Sequence, residues 1–272
     1  MNDPVHLPLH RSAADWQSLP HATPGHARVP VATAAMTTHL NVTTHSFTDC
    51  RAQATALAER VAERLRRVLA ERGHAALAVS GGSTPKDFFE RLSHEQLDWA
   101  RVQVTLVDER WVPDTDERSN ARLVKSRLLL HAAAAARFVP LYTGDASPEA
   151  GLATANARIE ALSLPFDAVV LGMGEDGHTA SFFPGGDHLT EALDLDGTAR
   201  VLPMHAPGAG EPRITLTLPT LLQTRALYLL VAGEKKRDLL ADARLGLGAA
   251  RDYPVRAVLA QPRVPVAVYW CP

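Results

Sequence analysis

From Phe47 onward the apolar positions switch repeatedly between two periods. In "TDCRAQATALAERVAERLRRVLAERG" the residues Ala54, Leu57, Ala58, Val61, Leu65, Val68 and Leu69 recur at i, i+3, i+4, the stripe of an amphipathic helix. Thr48 or Asp49 stands where a side chain caps such a helix, and Gly73 stands where one ends. The following "AALAVS" is apolar without alternation, as a strand covered on both faces must be. Further strands are predicted at "VQVTLVD", "FVPLY", "FDAVVLG", "ARVLPM", "ITLTL", "ALYLLVAG" and "VPVAVYW". Between them "PKDFFERL", "NARLVKSRLLLH", "EAGLATANARIEAL", "LPTLLQTR" and "EKKRDLLADARL" read as helices. This rhythm predicts a three-layer αβα, Rossmann-like α/β domain, its mostly parallel sheet carrying helices on both faces.

No repeat or linker interrupts this pattern, so residues 46–272 are expected to form a single domain. Residues 1–45 are different. They hold scattered Pro, His, Thr and Ser without a sustained period, as in "LPHATPGHARVPVATAAMTTH", and read as a flexible extension. Met36 is a plausible alternative start. The histidines there (His6, His10, His21, His26, His39 and His45) are irregularly spaced and lack an accompanying Cys or a recognisable ligand spacing, so no metal site is expected among them.

Bulk properties narrow the classes. The chain has 272 residues, 46% hydrophobic and 21% charged, enough for a large packed core. A formal charge of −2 gives no nucleic-acid footprint. No apolar run is long enough to span a membrane, and the N-terminus lacks the apolar segment of a signal peptide. The only cysteines, Cys50 and Cys271, are far apart and suggest no disulfide framework. A reducing, cytoplasmic setting is the expectation.

Ligands of such sheets bind beyond the carboxyl ends of the strands, and four of these ends carry chemistry. "SGGSTPKDFF" runs from a strand through Gly81 and Gly82 to Ser83, Thr84 and a proline placed to open a helix. Glycines let backbone approach an anion, and a helix start leaves amides unpaired. The stretch suits a phosphate or is a plain strand-to-helix turn; it is neither a P-loop nor GxSxG. In "VTLVDERWVPDTDERSN", Arg110 can fork onto an oxyanion with Asp108 and Glu109 orienting it, or the three form a surface salt-bridge turn. Asn120 follows Ser119, a candidate N-cap, and either faces the pocket or stabilises the helix start. In "LGMGEDGHTASFFPGG", His178 lies two residues after Asp176 in a glycine-flanked turn, so acid and imidazole can converge as a base with its partner. A structural His is the alternative; a metal lacks a third ligand at recognisable spacing. Finally, Arg213 opens "RITLTL", and Lys235, Lys236 and Arg237 open the helix after Gly233, where cations oppose the helix dipole.

Taken together, "SGGSTP", "VDERWVPDTDERSN", "LGMGEDGHTASFFPG", "RITLTLP" and "GEKK", in this order over about residues 47–270, resemble the 6-phosphogluconolactonase family. Its fold is similar to that of glucosamine-6-phosphate deaminases and ribose-5-phosphate isomerases. The resemblance implies hydrolysis of 6-phospho-D-glucono-1,5-lactone in the oxidative pentose phosphate pathway, with no metal or organic cofactor. It implies His178 as general base and Asp176 as its partner. Gly82, Ser83, Thr84, Arg213 and Lys236 would grip phosphate, with Arg110 a further pocket residue. The partner expected is a small phosphosugar lactone, with no nucleic acid or membrane, for a monomer or weak homodimer. Phe182 stands where the family usually has Leu, and Arg237 where a small residue follows the phosphate lysine; Lys236 is preferred over Lys235 by its distance from Gly233. The alternative is a glucosamine-6-phosphate deaminase-like isomerase, which typically reads "GHIAFNEPG" against "GHTASFFPG" here. A non-catalytic sugar-phosphate sensor ranks below both, because the first 45 residues show no helix–turn–helix pattern.

Overall fold

The structure, a computed structural model, describes residues 41–272. The described residues open with β1 (Val42–Ser46) and α1 (Cys50–Arg72), then β2 (Ala75–Val79), α2 (Lys86–Ser93), β3 (Val102–Leu106), β4 (Asp108–Arg110), α3 (Asn120–Arg127) and β5 (Arg137–Val139). It continues through α4 (Pro148–Glu160), β6 (Ala168–Gly172), α5 (Leu189–Leu193), β7 (Val201–Met204), β8 (Arg213–Leu216) and α6 (Leu218–Leu221). It closes with β9 (Leu227–Ala232), α7 (Glu234–Leu245), α8 (Val255–Ala260) and β10 (Val266–Cys271).

Seven strands form one parallel sheet in the order β1-β10-β9-β6-β2-β3-β5. All five residues of β2 are buried, so both faces of the sheet are covered there, as its unalternating apolar run requires. The α/β expectation holds, with an addition: β4, β8 and β7 form a separate antiparallel sheet. The predicted strand "VQVTLVD" therefore divides. Val107 donates its N–H to Val79 of the large sheet and accepts from Leu216 of the small one. Asp108, Glu109 and Arg110 are thus a strand paired with β8, not a surface turn.

Local signals act as their chemistry demands. Asp49, not Thr48, caps α1, its carboxylate accepting from Ala52 N at 2.8 Å. Ser119 caps α3. Pro85 sits one position before α2 and not inside it. The helix expected over "NARLVKSRLLLH" stops at Arg127, and "LPTLLQTR" yields only α6.

Two expectations fail. The extension of residues 1–45 lies mostly outside the described residues, but its last residues do not belong to it. Val42–Ser46 pairs in parallel with β10, its β-branched valine and threonines suiting a short, largely exposed edge strand. His45 packs against Tyr269 with ring centroids 4.9 Å apart and planes tilted by 38°. The histidines before it lie outside the described residues. The cysteines are also not independent: a disulfide joins Cys50 to Cys271, with Cα atoms 5.1 Å apart across 221 residues of chain. The fold brings the first residue of α1 to the last of β10, a proximity no sequence spacing reveals.

The sheet order positions the site. From β2 the chain builds outward through β3 and β5; from β6 it builds the other way through β9 and β10. The reversal falls between β2 and β6, where the loops leaving neighbouring strand ends diverge and open a crevice.

Candidate active site

Since β9, β6 and β2 are adjacent and parallel, the segments leaving their carboxyl ends lie side by side. These are "GEKK", "GMGEDGH" and "SGGST". With β4 and β8 they enclose a cavity of about 230 Å³ lined by Gly82, Ser83, Thr84, Arg110, His178, Arg213 and Lys236. Every predicted site residue except Asp176 lines this cavity, and Asp176 reaches it through His178.

The base candidate is held from two sides. Gly174 N donates to His178 O at 2.9 Å, closing the turn, and the His178 Nδ1 lies 2.5 Å from Asp176 Oδ1. A Cβ on Gly174 would stand 2.2 Å from the imidazole, so only glycine lets the ring fold back across its own turn. Phe183 stacks on the ring with centroids 4.3 Å apart, fixing its plane. Burial acts to raise the Asp176 carboxyl, but the hydrogen bond and charge of His178 outweigh it and hold Asp176 below the ordinary aspartate value. Next in the chain, Ala180 adopts φ 48, a conformation costly for a residue with a Cβ, and it also lines the cavity.

The cations come from three elements. Antiparallel pairing places Arg110 of β4 directly opposite Arg213 of β8. Arg213 is only 8% exposed; one Nη donates to Ala209 O at 2.8 Å, and the other lies 3.7 Å from Asp108. Burial lowers its pKa, Asp108 works against that, and nearby Arg110 adds to the lowering. Asp108 and Glu211, the latter 3.9 Å from Arg110 Nε, accompany the two guanidiniums, which both line the cavity and offer N–H groups suited to an anion. Lys236 adds a third charge. Its neighbour Lys235 turns away to pair with Glu175 at 2.5 Å on the surface. That separates the two lysines that the sequence left hard to distinguish, and it removes Glu175 from the His–Asp pair.

The acids after β3 do less with Arg110 than the sequence suggested and more with everything else. Asp108 accepts from Ser181 Oγ at 2.6 Å. Glu109 accepts from the backbone of Arg110, not from its guanidinium. Asn120 both opens α3 and faces the cavity. Its Nδ2 donates to Asp108 O at 2.9 Å, and its Oδ1 accepts from Arg110 at 3.1 Å. A Cβ on Gly81 would lie 1.9 Å from Asn120 Oδ1, so the phosphate-type loop and α3 meet only across a glycine. Sequence reasoning missed Phe183, Ser181 and Ala209. No local signal marks them; the fold alone carries them to the site. Among the described residues no three His, Cys, Asp or Glu side chains gather as metal ligands.

A family profile described as glucosamine-6-phosphate isomerases/6-phosphogluconolactonase matches residues 48–270. A 6-phosphogluconolactonase of Rhizobium meliloti is 51% identical over 228 residues, covering 84% of this chain and 98% of that protein. One from Pseudomonas aeruginosa is 47% identical, covering 81% and 91%. The crystal structure of a 6-phosphogluconolactonase from Shewanella baltica superposes with a TM-score of 0.80 at 39% identity, covering 85% of this chain and 98% of that one.

Proposed function

The chain belongs to the glucosamine-6-phosphate isomerase/6-phosphogluconolactonase family, and on that premise we propose that it hydrolyses 6-phospho-D-glucono-1,5-lactone to 6-phosphogluconate. One observation carries the reading: a single cavity holds an aspartate-oriented histidine together with three cationic side chains and the glycine–hydroxyl loop after β2. A phosphorylated, already activated ester needs this combination and nothing covalent.

In this mechanism the phosphate rests on Ser83, Thr84, the Gly82 backbone, Arg213 and Lys236, and Arg110 meets another substrate oxygen. Phosphate anchoring holds the lactone carbonyl near the imidazole, which converts hydrolysis into an oriented, local reaction. His178 donates Nδ1–H to Asp176, so its Nε2 lone pair is free to take a proton from water as the oxygen attacks C1. The tetrahedral oxyanion then collapses, the ring C–O bond breaks, and the imidazolium returns the proton to the departing ring oxygen. Asp176 stabilises the transient imidazolium, for which its depressed pKa suits it.

No described helix is long and apolar enough to cross a membrane. We further infer a cytoplasmic enzyme of the oxidative pentose phosphate pathway, since sugar phosphates are made and retained there, and a monomer or weak homodimer. The glucosamine-6-phosphate deaminase alternative has less support, because the relatives at 51% and 47% identity are lactonases. Freshly generated lactone, followed with and without protein against its spontaneous decay, tests the assignment. Enzyme-dependent acceleration is expected; ammonia release from glucosamine 6-phosphate without lactone acceleration would transfer the protein to the deaminases.

A further inference from the structure

We propose that Glu109 is a positioning residue: its buried carboxylate clamps β4 to the first turn of α3 and thereby holds Arg110 and Asn120 as one substrate-facing unit. This rests on reading the cavity as a phosphosugar site. Glu109 is completely buried, yet both oxygens are occupied. Oε1 accepts from Arg110 N at 2.8 Å and Asn120 N at 2.7 Å. Oε2 accepts from Ala121 N at 2.7 Å and Ser119 Oγ at 3.1 Å.

An ordinary helix cap does not explain this. Ser119 already caps α3 by accepting from Arg122 N at 3.1 Å. Glu109 is a second, charged anchor, and what it adds is a tie to another element. Arg110 is gripped by its own amide through Glu109, and its guanidinium is gripped by Asn120 Oδ1. The amide of Asn120 is in turn gripped by Glu109. Two cavity residues ten positions apart are locked through one carboxylate.

The clamp depends on charge. Three of the four partners are backbone N–H donors and only the Ser119 hydroxyl can also accept, so an amide at position 109 must turn a hydrogen toward an N–H, and a protonated acid keeps its contacts only by reversing the Ser119 bond. The charged groups around Glu109 are Asp108 and Arg110 on β4 and Arg213 on β8; α3 presents neutral donors. Burial raises the Glu109 pKa to about 7, with its three amide bonds pulling the other way and Asp108 adding to the rise. The clamp is therefore fully charged above neutrality and weakens below it.

The variant Glu109→Gln keeps the shape and removes the charge. Its KM for the phosphorylated lactone should rise about tenfold, the scale of one lost charged hydrogen bond, while kcat changes less than about twofold. The rise in wild-type KM between pH 8 and pH 6 should exceed that of E109Q, since substrate ionisation is common to both. Inorganic phosphate should raise the melting temperature of wild type more than that of E109Q. If E109Q melts lower but keeps the wild-type KM and phosphate response, Glu109 only caps a helix and the proposal is overturned. Should E109Q not fold, Ser119→Ala removes one of the four donors and is judged alike: a KM about threefold higher supports the clamp, and an unchanged KM refutes it. The phosphate response needs no lactone chemistry. A wild-type protein that fails to accelerate lactone hydrolysis while showing the phosphate difference would sink the activity and spare the clamp.

Discussion

His178, the proposed base, is framed by three neighbours. Asp176 pairs with its Nδ1, Phe183 stacks on its ring plane, and Gly174 gives the ring room. His178→Ala should lower kcat by roughly 10²–10⁴-fold, the usual worth of a general base, with little change in KM, in the fresh-lactone assay. Asp176→Asn should lower kcat by less, because the base survives and loses only its orientation. Arg213→Ala should act on the other parameter, raising KM with a smaller effect on kcat; an unchanged KM would remove Arg213 from the phosphate grip. Glu109 also sets a stability trend. Its folded pKa of about 7 stands above the unbound glutamate value of 4.5. Its contribution to stability is thus present in full below pH 4.5 and lost as pH rises through about 7. Wild type should lose more stability than E109Q when denaturant melts are compared from pH 5 to pH 8. The charged clamp proposed to serve binding would be held at a cost to the fold.

Elements matter here as carriers of strand ends. Parallel β9, β6 and β2 deliver the lysine helix, the histidine turn and the glycine–hydroxyl loop to one edge of the sheet. The small antiparallel sheet delivers both arginines, because the β4–β8 register sets Arg110 against Arg213. Where these elements touch, space is short. Gly81→Ala would drive its Cβ into Asn120, and that side chain also holds Arg110. We expect a raised KM and a nearly intact fold from this substitution, checked by steady-state kinetics beside circular dichroism. Normal kinetics would mean that α3 can retreat without consequence. The elements were readable because their apolar periods are long and unbroken, as in α1 and β2. The division of "VQVTLVD" between two sheets was not readable, since Val107 looks like any other strand valine and only its two backbone partners distinguish it.

At the scale of the whole molecule, the disulfide ties the start of α1 to the end of β10. A bond closing 221 residues of chain restricts the unfolded state far more than the folded one. Cys50→Ser with Cys271→Ser should lower stability by about 2–4 kcal/mol relative to the oxidised protein, and reducing agent should reproduce most of that loss in wild type. Chemical denaturation with and without reductant measures it; identical curves would mean the thiols are not joined in solution. Neither lactone kinetics nor phosphate response should change, because the staple is not among the cavity residues.

Sequence alone determined the α/β class, most strands and helices, and the residue types able to bind a phosphate and activate water. Those properties are local: periodicity, caps, glycine turns and short polar motifs are written within a few neighbouring residues. Whether Lys235 or Lys236 faced the cavity, whether Glu109 served a guanidinium or a helix, and whether Cys50 had a partner were decided by tertiary structure. Each depends on which distant segment arrives alongside. Glu175 takes Lys235, α3 brings Asn120 to Glu109, and β10 ends beside α1. The motif "GEDGH" shows the division most clearly. Its sequence supplies acids, glycines and a histidine; the order β9-β6-β2 and the β4–β8 pair bring the cations and hydroxyls beside them in one cavity.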